Sequence, residues 1–586
     1  MNYDLNQLSK TAPKTSTWAG LGKLIRLISH ERRILIMALI AILINSSLNL
    51  LGPLIIGRTI DKYIRYKDFG GVIHNGILLL CMYAVALFTS YKQTTLMGGV
   101  GQRMLFTLRN SIFNKLQQLP VGFFNQNKAG DLISRVNNDT DKLNQFFSQS
   151  LMQFISNISI MIGAGIFLLL INPELGAAAL SPALIILGLT LVLSPWIKRK
   201  NAASLKSTGG LSGEIQESLN NFKVIIAFNR RDYFRKRFGI ANTANYNAAI
   251  GAGLATTVFI PVYGFFASTG QLIVLSFGIY LIGKGLFSIG ILVSYLSYAT
   301  NFYNPLRQLA ALWTNFQLAM AGWDRVSQIL SLESDLPQIA AGITEPNAAL
   351  LEFRNVHFSY DESKEILHNI NFKLEQGKTY ALVGPTGGGK TTTASLIARL
   401  YDPSKGLVLL DGKDIRTYTA EERSLKIGFI LQEPFLFSGT VKDNILYSND
   451  MYKEHTNEQL EKVITDANLG SLLAIFENGL ETLVLSSGDS ISLGQKQLIA
   501  FMRAVLRNPQ ILILDEATAN IDTITEKLLS DILNKLPETT TRVIIAHRLN
   551  TIENADEIFF VNSGEVIRAG GLNEAIDMLL HGKRVS

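Results

Sequence analysis

The segment GPTGGGKT, Gly384–Thr391, constrains this chain more than any other part of its sequence. It matches the pattern G-x-x-x-x-G-K-[ST] and lies between a predicted strand, Thr379–Val383, and a predicted helix, Thr392–Leu400. Such a loop wraps backbone N–H groups around nucleotide phosphates, and the positive end of the following helix faces them. The pattern therefore predicts a nucleotide-binding loop, with Lys390 on the β- and γ-phosphates and the Thr391 hydroxyl on Mg²⁺.

The composition indicates a membrane part in addition to this loop. With 586 residues, of which 47% are hydrophobic, the chain is too long for one domain and too apolar for an ordinary soluble enzyme. Its single cysteine, Cys81, excludes an internal disulfide framework and a cysteine-rich metal site. The net charge of +7 comes without a basic patch interleaved with aromatic residues, so we expect a lipid bilayer and no nucleic acid as a partner.

Six apolar stretches in the N-terminal half are long enough to cross a bilayer. The second of them is the weakest, because it contains His74 and Asn75. The predicted spans are Ile34–Ile56, Val72–Ser90, Leu151–Ile171, Leu175–Ile197, Ile250–Ile282 and Leu286–Leu306. Lys and Arg number seven and ten in the two long connections, 91–150 and 198–249, against four, none and one in the three short ones. This asymmetry places the long connections in the cytosol.

The spans contain no charged residue, and their polar residues are interpreted first as helix–helix contacts. These polar and aromatic residues include Asn45, Ser46, Ser47, Asn49, Asn157, Gln271, Tyr295, Tyr298, Asn301, Phe302, Tyr303 and Asn304. An uncharged, aromatic lining would suit hydrophobic or amphipathic cargo.

A second group of motifs follows the phosphate loop. The run ILILDE, Ile511–Glu516, is predicted to be a buried strand that ends in two carboxylates. Such a strand places Asp515 in the Mg²⁺ shell and Glu516 beside the attacking water. The run IIAH ends at His547, a position that favours contact with the γ-phosphate.

The run SISLGQKQ indicates a further anion site. Ser492, Gly494 and Gln495 open a helix predicted at Lys496–Leu506, and a serine and a glycine at a helix N-terminus favour an anion. Because the first loop already holds one nucleotide, we expect this site to face a nucleotide bound to another subunit.

In this order the motifs resemble those of an ABC exporter half-transporter of the multidrug or lipid type, and the resemblance covers nearly the whole chain. It implies an all-α six-helix transmembrane domain followed by an α/β P-loop ABC ATPase domain. The implied boundaries are 1–33 for a cytosolic tail with an interfacial elbow helix, 34–332 for the transmembrane domain, 333–348 for a linker and 349–586 for the nucleotide-binding domain.

The resemblance also implies a role for each matched residue. Tyr360 would stack on adenine, Gln432 would touch Mg²⁺ and water, and His547 would be the switch histidine. The implied Walker A segment comprises Gly384, Pro385, Thr386, Gly387, Gly388, Gly389, Lys390, Thr391 and Thr392. The implied Walker B aspartate, general base and last D-loop residue are Asp515, Glu516 and Asp522, and the implied Mg²⁺ ligands are Thr391, Gln432 and Asp515. Coupling helices are expected near Pro120–Phe124 and around Glu214–Lys223.

One departure concerns the signature motif, which is usually LSGGQ in this family. Here it is Ile491–Gln495, with Leu493 at the third position, where a side chain adds bulk beside a phosphate. A complete Walker B motif with a substituted signature resembles one subunit of an asymmetric heterodimer. A homodimer that tolerates Leu493 is the alternative.

The chain is therefore expected to hydrolyse ATP with Mg²⁺ and to move hydrophobic or amphipathic compounds across a membrane by alternating access, as a dimer of half-transporters. The alternatives are a lipid flippase or siderophore importer of the same build, and an ATP-gated regulatory membrane protein. Glu516 and His547 argue against the last of these. Short outer loops and a polar N-terminus without a cleavage site favour a bacterial inner membrane, with the N-terminus and the ATPase domain in the cytoplasm.

Overall fold

A computed structural model describes most of the chain. The described residues are 3–5, 7, 31–334, 336–340, 345, 349–361, 364–485, 491–515, 523–545, 553–570 and 572–581. The predicted elbow helix, Trp18–His30, lies outside them. The chain divides into two compact units. The helical unit comprises the described residues of Ala12–Leu116 and Gly130–Ser331, and the ATPase unit comprises Leu332–Ser586 together with Gln117–Ala129 and the described residues of Met1–Thr11.

Helices of 6 to 50 residues make up the described N-terminal half. In chain order they are α1 (Arg32–Thr59), α2 (Phe69–Gln118), α3 (Val121–Gln126), α4 (Ala129–Ser134), α5 (Thr140–Gln145), α6 (Leu151–Ile171), α7 (Pro173–Asn220), α8 (Phe222–Ala227), α9 (Arg231–Thr257), α10 (Phe259–Gly283) and α11 (Ile289–Ser331). Single π-helical turns extend or join some of them, at Ile60–Ile64, Arg135–Asp139 and Phe146–Ser150.

Five helical stretches among the described residues are long and apolar enough to cross a membrane. They are Arg32–Ile64, Phe69–Gln118, Ala129–Ile171, Pro173–Asn220 and Arg231–Gly283, and each contains one predicted span. The sixth predicted span falls at the start of α11, which forms as a helix but does not meet the same criterion. Tyrosine and asparagine residues lower its hydropathy, so this span remains a prediction.

The helices differ from the predictions in two places, one in a span and one in a long connection. The fifth predicted span, Ile250–Ile282, contains the boundary between α9 and α10 at Val258, whose dihedrals are still helical. The second coupling helix was expected around Glu214–Lys223, but α7 continues as far as Asn220 and the short helix α8 follows it. The turn at Asn221, which has no regular helical dihedrals, sets this boundary.

Buried tyrosines join the helices of the helical unit. The hydroxyl of Tyr298 donates to Leu50 O on α1 at 2.7 Å, and that of Tyr303 donates to Ala179 O on α7, also at 2.7 Å. Tyr295 donates to Asn172 O at 2.7 Å. Each buried hydroxyl has a hydrogen-bond partner in a backbone carbonyl oxygen, where the surrounding side chains are apolar. These tyrosines therefore act in helix packing.

The ATPase unit contains two sheets of more than two strands. Its strands are β1 (Leu351–Phe358), β2 (Leu367–Leu374), β3 (Thr379–Val383), β4 (Lys405–Leu410), β5 (Lys413–Asp414), β6 (Ile427–Ile430), β7 (Gly439–Thr440), β8 (Leu483–Val484), β9 (Ile511–Asp515), β10 (Thr541–Ile545), β11 (Glu557–Asn562) and β12 (Glu565–Gly570). Its helices after α11 are α12 (Lys390–Ile397), α13 (Ala420–Lys426), α14 (Val441–Leu446), α15 (Asn457–Asp466), α16 (Gly470–Leu473), α17 (Leu493–Val505), α18 (Thr523–Asn534) and α19 (Leu572–His581).

The larger sheet has the order β12-β11-β3-β10-β9-β6, and its five strands from β11 to β6 are parallel. Strands β3 and β9 are buried along their whole length, as expected for a parallel sheet covered on both faces. The carboxyl ends of parallel strands meet at one edge, so the segments that follow β3 and β9 lie close together.

The smaller sheet has the order β2-β1-β4-β5, so β1 lies between β2 and β4. The alternating run Leu350–Tyr360 by itself would predict an edge strand, and that prediction is wrong. A pleated strand with one polar face gives the same alternation at the centre of a half-exposed antiparallel sheet as at its edge. The aromatic pair Phe353 and Phe372, stacked at 4.4 Å, fixes the β1–β2 register.

The chain after β6 is held by one fully buried amide, that of Asn444 on α14. Its Oδ1 accepts from Phe437 N at 2.9 Å, and its Nδ2 donates to Phe437 O at 2.8 Å and Thr440 O at 3.0 Å. Arg503 on α17 donates to the same Oδ1 at 3.0 Å. One side chain therefore joins α14, α17 and the loop that follows Gln432.

Replacing this amide tests its contribution to the ATPase unit. Asn444→Ala removes the partner of Phe437 N, Phe437 O and the Arg503 guanidinium, and we expect it to lower the free energy of unfolding by about 2–3 kcal/mol. The melting temperature of the purified chain in detergent, followed by differential scanning fluorimetry, should fall by several degrees. Glu461→Gln, an exposed site on α15, should leave it unchanged. Equal melting temperatures for the two variants would contradict this role.

Candidate functional site

The predicted phosphate loop forms a tight backbone turn between β3 and α12. Three of its glycines have positive φ: Gly384 (145°), Gly387 (81°) and Gly389 (115°). A Cβ at Gly384 would collide with the carbonyl oxygen of Val561 on β11, and one at Gly388 would lie 2.5 Å from the same atom. Only glycine fits where the two backbones approach so closely. The conformation of the loop therefore depends both on its glycines and on the neighbouring strand β11.

Lys390 and Thr391 open α12 at the end of this loop. The Lys390 side chain is buried, and its Nζ donates to Gly384 O at 2.8 Å and Pro385 O at 3.0 Å. Its ammonium group therefore lies within the turn of the loop. Pro385, Thr386 and Thr392 occupy the remaining positions of the predicted segment, and Thr392 lies on the buried side of α12.

The structure brings Thr391 and Asp515 together across 124 positions of sequence. Thr391 Oγ1 lies 3.5 Å from Oδ1 of Asp515, the last residue of β9, and the Asp515 side chain is buried. A hydroxyl and a carboxylate oxygen are hard ligands of the kind that Mg²⁺ prefers. No group of three or more His, Cys, Asp or Glu side chains that could hold a metal occurs among the described residues. The donor set therefore suits an ion that takes its other ligands from phosphate and water.

Tyr360 lies at the mouth of a cavity of about 550 Å³. Its ring packs edge-on against Tyr401 at 5.1 Å and Phe358 at 4.8 Å, and its hydroxyl lies 3.0 Å from Thr392 Oγ1. Tyr360 is 42% exposed, so part of its surface is free to contact a ligand. The cavity is also lined by Thr391, Ser395 and Ser359 of the ATPase unit.

Gln432 follows β6, is exposed, and lies beside α17. Its backbone carbonyl oxygen accepts a hydrogen bond from Nε2 of the buried Gln497 at 3.3 Å. Arg503, one helical turn and a half further along α17, donates to Phe435 O at 3.2 Å. Burial lowers the pKa of the Arg503 guanidinium, and its carbonyl and amide partners hold it against the loop. The loop that carries Gln432 is thus attached to the helix that begins with the signature motif.

The signature motif forms the N-terminus of α17, which begins three residues earlier than predicted. Ser492 caps the helix: its Oγ accepts from Gln495 N at 3.1 Å, and Gln495 Oε1 accepts from Ser492 N at 2.9 Å. Leu493 is the first helical residue and is 39% exposed, and Gly494 follows it. The leucine side chain therefore lies at the surface on which the resemblance places a partner's nucleotide.

Three predicted residues, Glu516, Asp522 and His547, lie outside the described residues. Glu516 is bonded directly to Asp515, and His547 follows β10 by two positions.

Sequence reasoning missed Tyr401. It supports the Tyr360 ring and accepts from Asn125 Nδ2 of α3 at 2.8 Å. The one signal in the sequence is an aromatic residue just after the predicted helix that follows the phosphate loop, in the run Leu400–Pro403.

The fold and this arrangement define a P-loop ATPase joined to a helical membrane region. Residues 35–306 match the family described as ABC transporter transmembrane region, and residues 367–519 match the ABC transporter family. The chain is 33% identical over 572 residues to the uncharacterized ABC transporter ATP-binding protein YfiC of Bacillus subtilis, covering 97% of this chain and 94% of that protein.

Two further relatives have more specific names. A fatty acid ABC transporter ATP-binding/permease protein of Mycobacterium bovis is 32% identical, over 87% of this chain and 80% of its own length. A multidrug resistance ABC transporter ATP-binding and permease protein of Lactococcus lactis is 28% identical, over 94% and 93%. The chain belongs to the ABC transporters, as a half-transporter with a transmembrane region and an ATPase domain in one polypeptide. It is an integral membrane protein that binds and hydrolyses ATP to drive transport.

Two glycines of the phosphate loop offer a matched test of the site. Gly384→Ala places a methyl group against Val561 O and should abolish saturable binding of a fluorescent ATP analogue. A Cβ at Gly387 meets nothing within 4 Å, so Gly387→Ala carries only the cost of positive φ, about 1–2 kcal/mol, and should weaken binding by about tenfold. Similar affinities for the two variants would contradict the packing described here.

Proposed function

We propose that this half-transporter acts as a dimer in which two ATP molecules are held between two ATPase domains. Each ATP would lie between the phosphate loop of one chain and the signature motif of the other. The observation that carries this proposal is the approach of Thr391 Oγ1 to Asp515 Oδ1 at 3.5 Å, because it supports a site for a nucleotide and its Mg²⁺ beside the phosphate loop. The exposed signature at the start of α17 supports a site completed by a second chain.

Each residue of the site has a proposed role. Lys390 and the loop from Gly384 to Gly389 bind the β- and γ-phosphates, and Tyr360 stacks on the adenine. Thr391, Asp515 and Gln432 would hold Mg²⁺. When bound, the ion neutralises charge that develops on the phosphates. Ser492, Gly494 and Gln495 bind the γ-phosphate of the partner's ATP through a capped helix N-terminus.

Glu516 is the proposed general base. Support comes from its neighbour in sequence, Asp515, which ends β9 at the carboxyl edge of the parallel sheet. Glu516 would take the proton of the attacking water, His547 would contact the γ-phosphate, and Asp522 would lie at the seam between subunits. Hydrolysis then separates the domains, since the products no longer join the two chains.

Transport follows from the difference in ATP affinity between open and closed dimers. A ligand shifts a conformational equilibrium only by its differential affinity for the two states. ATP, which bridges both chains, favours the closed state, and the membrane helices would change their access with it. We propose export of hydrophobic or amphipathic compounds, supported by the uncharged apolar spans and by relatives named for fatty acids and multidrug resistance.

The proposed domain boundaries are those predicted from the sequence: 1–33, 34–332, 333–348 and 349–586. They are supported by the end of α11 at Ser331 and the start of β1 at Leu351. We propose the cell membrane of a bacterium as the location, with the ATPase domain in the cytoplasm, since the basic residues concentrate in the two long connections.

The proposed base is tested by Glu516→Gln, which keeps the shape of the side chain and removes its basicity. We expect ATP binding to be retained and the steady-state ATPase rate to fall by about 100-fold or more. Rates are measured by phosphate release from the chain in lipid nanodiscs with its partner, and binding by a fluorescent ATP analogue. An ATPase rate close to that of the wild type would exclude Glu516 as the base.

The partner is proposed to be a different half-transporter, because Leu493 occupies a position that this family usually gives to glycine. Expressed alone, the chain should give no dimer with ATPase activity, and affinity purification from its native host should bring a second half-transporter. Size-exclusion chromatography with light scattering, followed by ATPase assays, measures both. A stable, active homodimer of this chain would contradict the heterodimer, and its activity would then be expected to rise in Leu493→Gly.

A further inference from the structure

The first described residues bind the segment Gln117–Ala129 through their backbone. Tyr3 N donates to Gln126 Oε1 at 2.7 Å, and Leu5 N donates to Asn127 Oδ1 at 3.1 Å. Asn127 Nδ2 donates in turn to Tyr3 O at 2.9 Å. The Asn127 amide thus satisfies a donor and an acceptor of the N-terminal backbone, as a neighbouring strand would.

The side chains of this segment are buried as deeply as those of a domain core. Tyr3 is 1% exposed and Leu5 is 0% exposed. The Tyr3 ring packs edge-on against Phe123 of α3, with centroids 6.2 Å apart, and its hydroxyl donates to Glu333 O at 3.1 Å, two residues after α11 ends. The segment Tyr3–Leu5 is therefore attached both to α3 and to the chain that leaves the last long helix.

The same helix α3 reaches the nucleotide cavity on its other side. Asn125 Nδ2 donates to the Tyr401 hydroxyl at 2.8 Å, and Tyr401 supports the Tyr360 ring. Tyr3, together with Val121, Gly122, Asn125 and Gln126 of α3, lines the cavity of about 550 Å³ that also contains Tyr360 and Thr391. One wall of this cavity therefore comes from α3 and Tyr3, which are far in sequence from Tyr360 and Thr391, and the N-terminal segment is bonded to that wall.

We propose that Tyr3 and Asn127 are positioning residues for ATP binding, and that the segment Tyr3–Leu5 is an intramolecular clamp that fixes α3 beside the adenine subsite. The inference rests on the proposed function, in which Tyr360 binds adenine in this cavity. The clamp acts through α3, on the side of the cavity that contains Tyr360 and Tyr401. Its loss should therefore weaken ATP binding and leave the chemical step nearly unchanged.

Four full-length variants test the clamp. Tyr3→Ala removes the packing on Phe123 and the hydrogen bond to Glu333 O, and Tyr3→Phe removes only the latter. Asn127→Asp keeps the shape of the side chain but directs an acceptor at two carbonyl oxygens, Tyr3 O and Phe123 O. Lys128→Ala, at the adjacent exposed position, is the matched control.

We expect Tyr3→Ala and Asn127→Asp to raise the KM for ATP, and the dissociation constant of a fluorescent ATP analogue, by about three- to tenfold, the range that corresponds to a lost buried hydrogen bond. The kcat should change by less than about twofold, Tyr3→Phe should retain most of the wild-type affinity, and Lys128→Ala should match the wild type. Unchanged affinity, or a fall in kcat at constant KM, would overturn the inference.

A photo-crosslink tests the clamp without depending on turnover. The full-length chain carrying p-benzoylphenylalanine in place of Tyr3 should crosslink, on irradiation, to a peptide within Gln117–Ala129 or to Glu333, as identified by mass spectrometry. Crosslinks elsewhere, or none, would overturn the clamp. If the p-benzoylphenylalanine chain crosslinks as expected but the wild-type chain binds no ATP analogue, the proposed function is refuted instead, so the two failures are distinguishable.

Discussion

The close approach of the phosphate loop to strand β11 is the constraint on which the rest of the site depends. The carbonyl of Val561 occupies the space that a side chain at Gly384 or Gly388 would need, so the loop backbone lies directly against the sheet. Because β3 and β9 are separated only by β10, this position brings the start of α12 to the end of β9. The Thr391–Asp515 pair follows from that geometry at the carboxyl edge of the parallel sheet, and Tyr360 lines the same cavity as Thr391.

The parts of this site that the sequence predicts are those encoded by short spacings. The phosphate loop needs glycines at fixed positions between a strand and a helix, and both elements form where the apolar runs indicate. The capped start of α17 is likewise local, because Ser492 and Gln495 are three residues apart and satisfy each other's backbone groups. The strand that ends at Asp515 is a continuous apolar run, which is typical of a parallel strand buried on both faces of the sheet.

What the sequence could not supply depends on pairings between distant residues. The central place of β1 follows from its partners β2 and β4, and alternation along one strand carries no information about them. The support that Tyr401 gives to Tyr360 joins positions 41 residues apart, and the contact of Tyr3 with Phe123 joins positions 120 apart. Hydropathy gives the length of a span and not its helix boundaries, so the boundary between α9 and α10 at Val258 was not predicted. The start of α8 at Phe222, in the second long connection, depends on a turn at Asn221 that hydropathy does not show either.

The π-helical turns have a consequence for how this chain tolerates changes in length. A π turn accommodates one residue more than an α turn, so the helical faces resume one position late after Arg135–Asp139 and again after Phe146–Ser150. Losing a single residue within either turn would restore an ordinary helix while leaving the flanking faces aligned with their neighbours. The same deletion within α6 would rotate everything beyond it by about 100°. At these two turns the chain can therefore gain or lose one residue without rotating the helix faces that flank them.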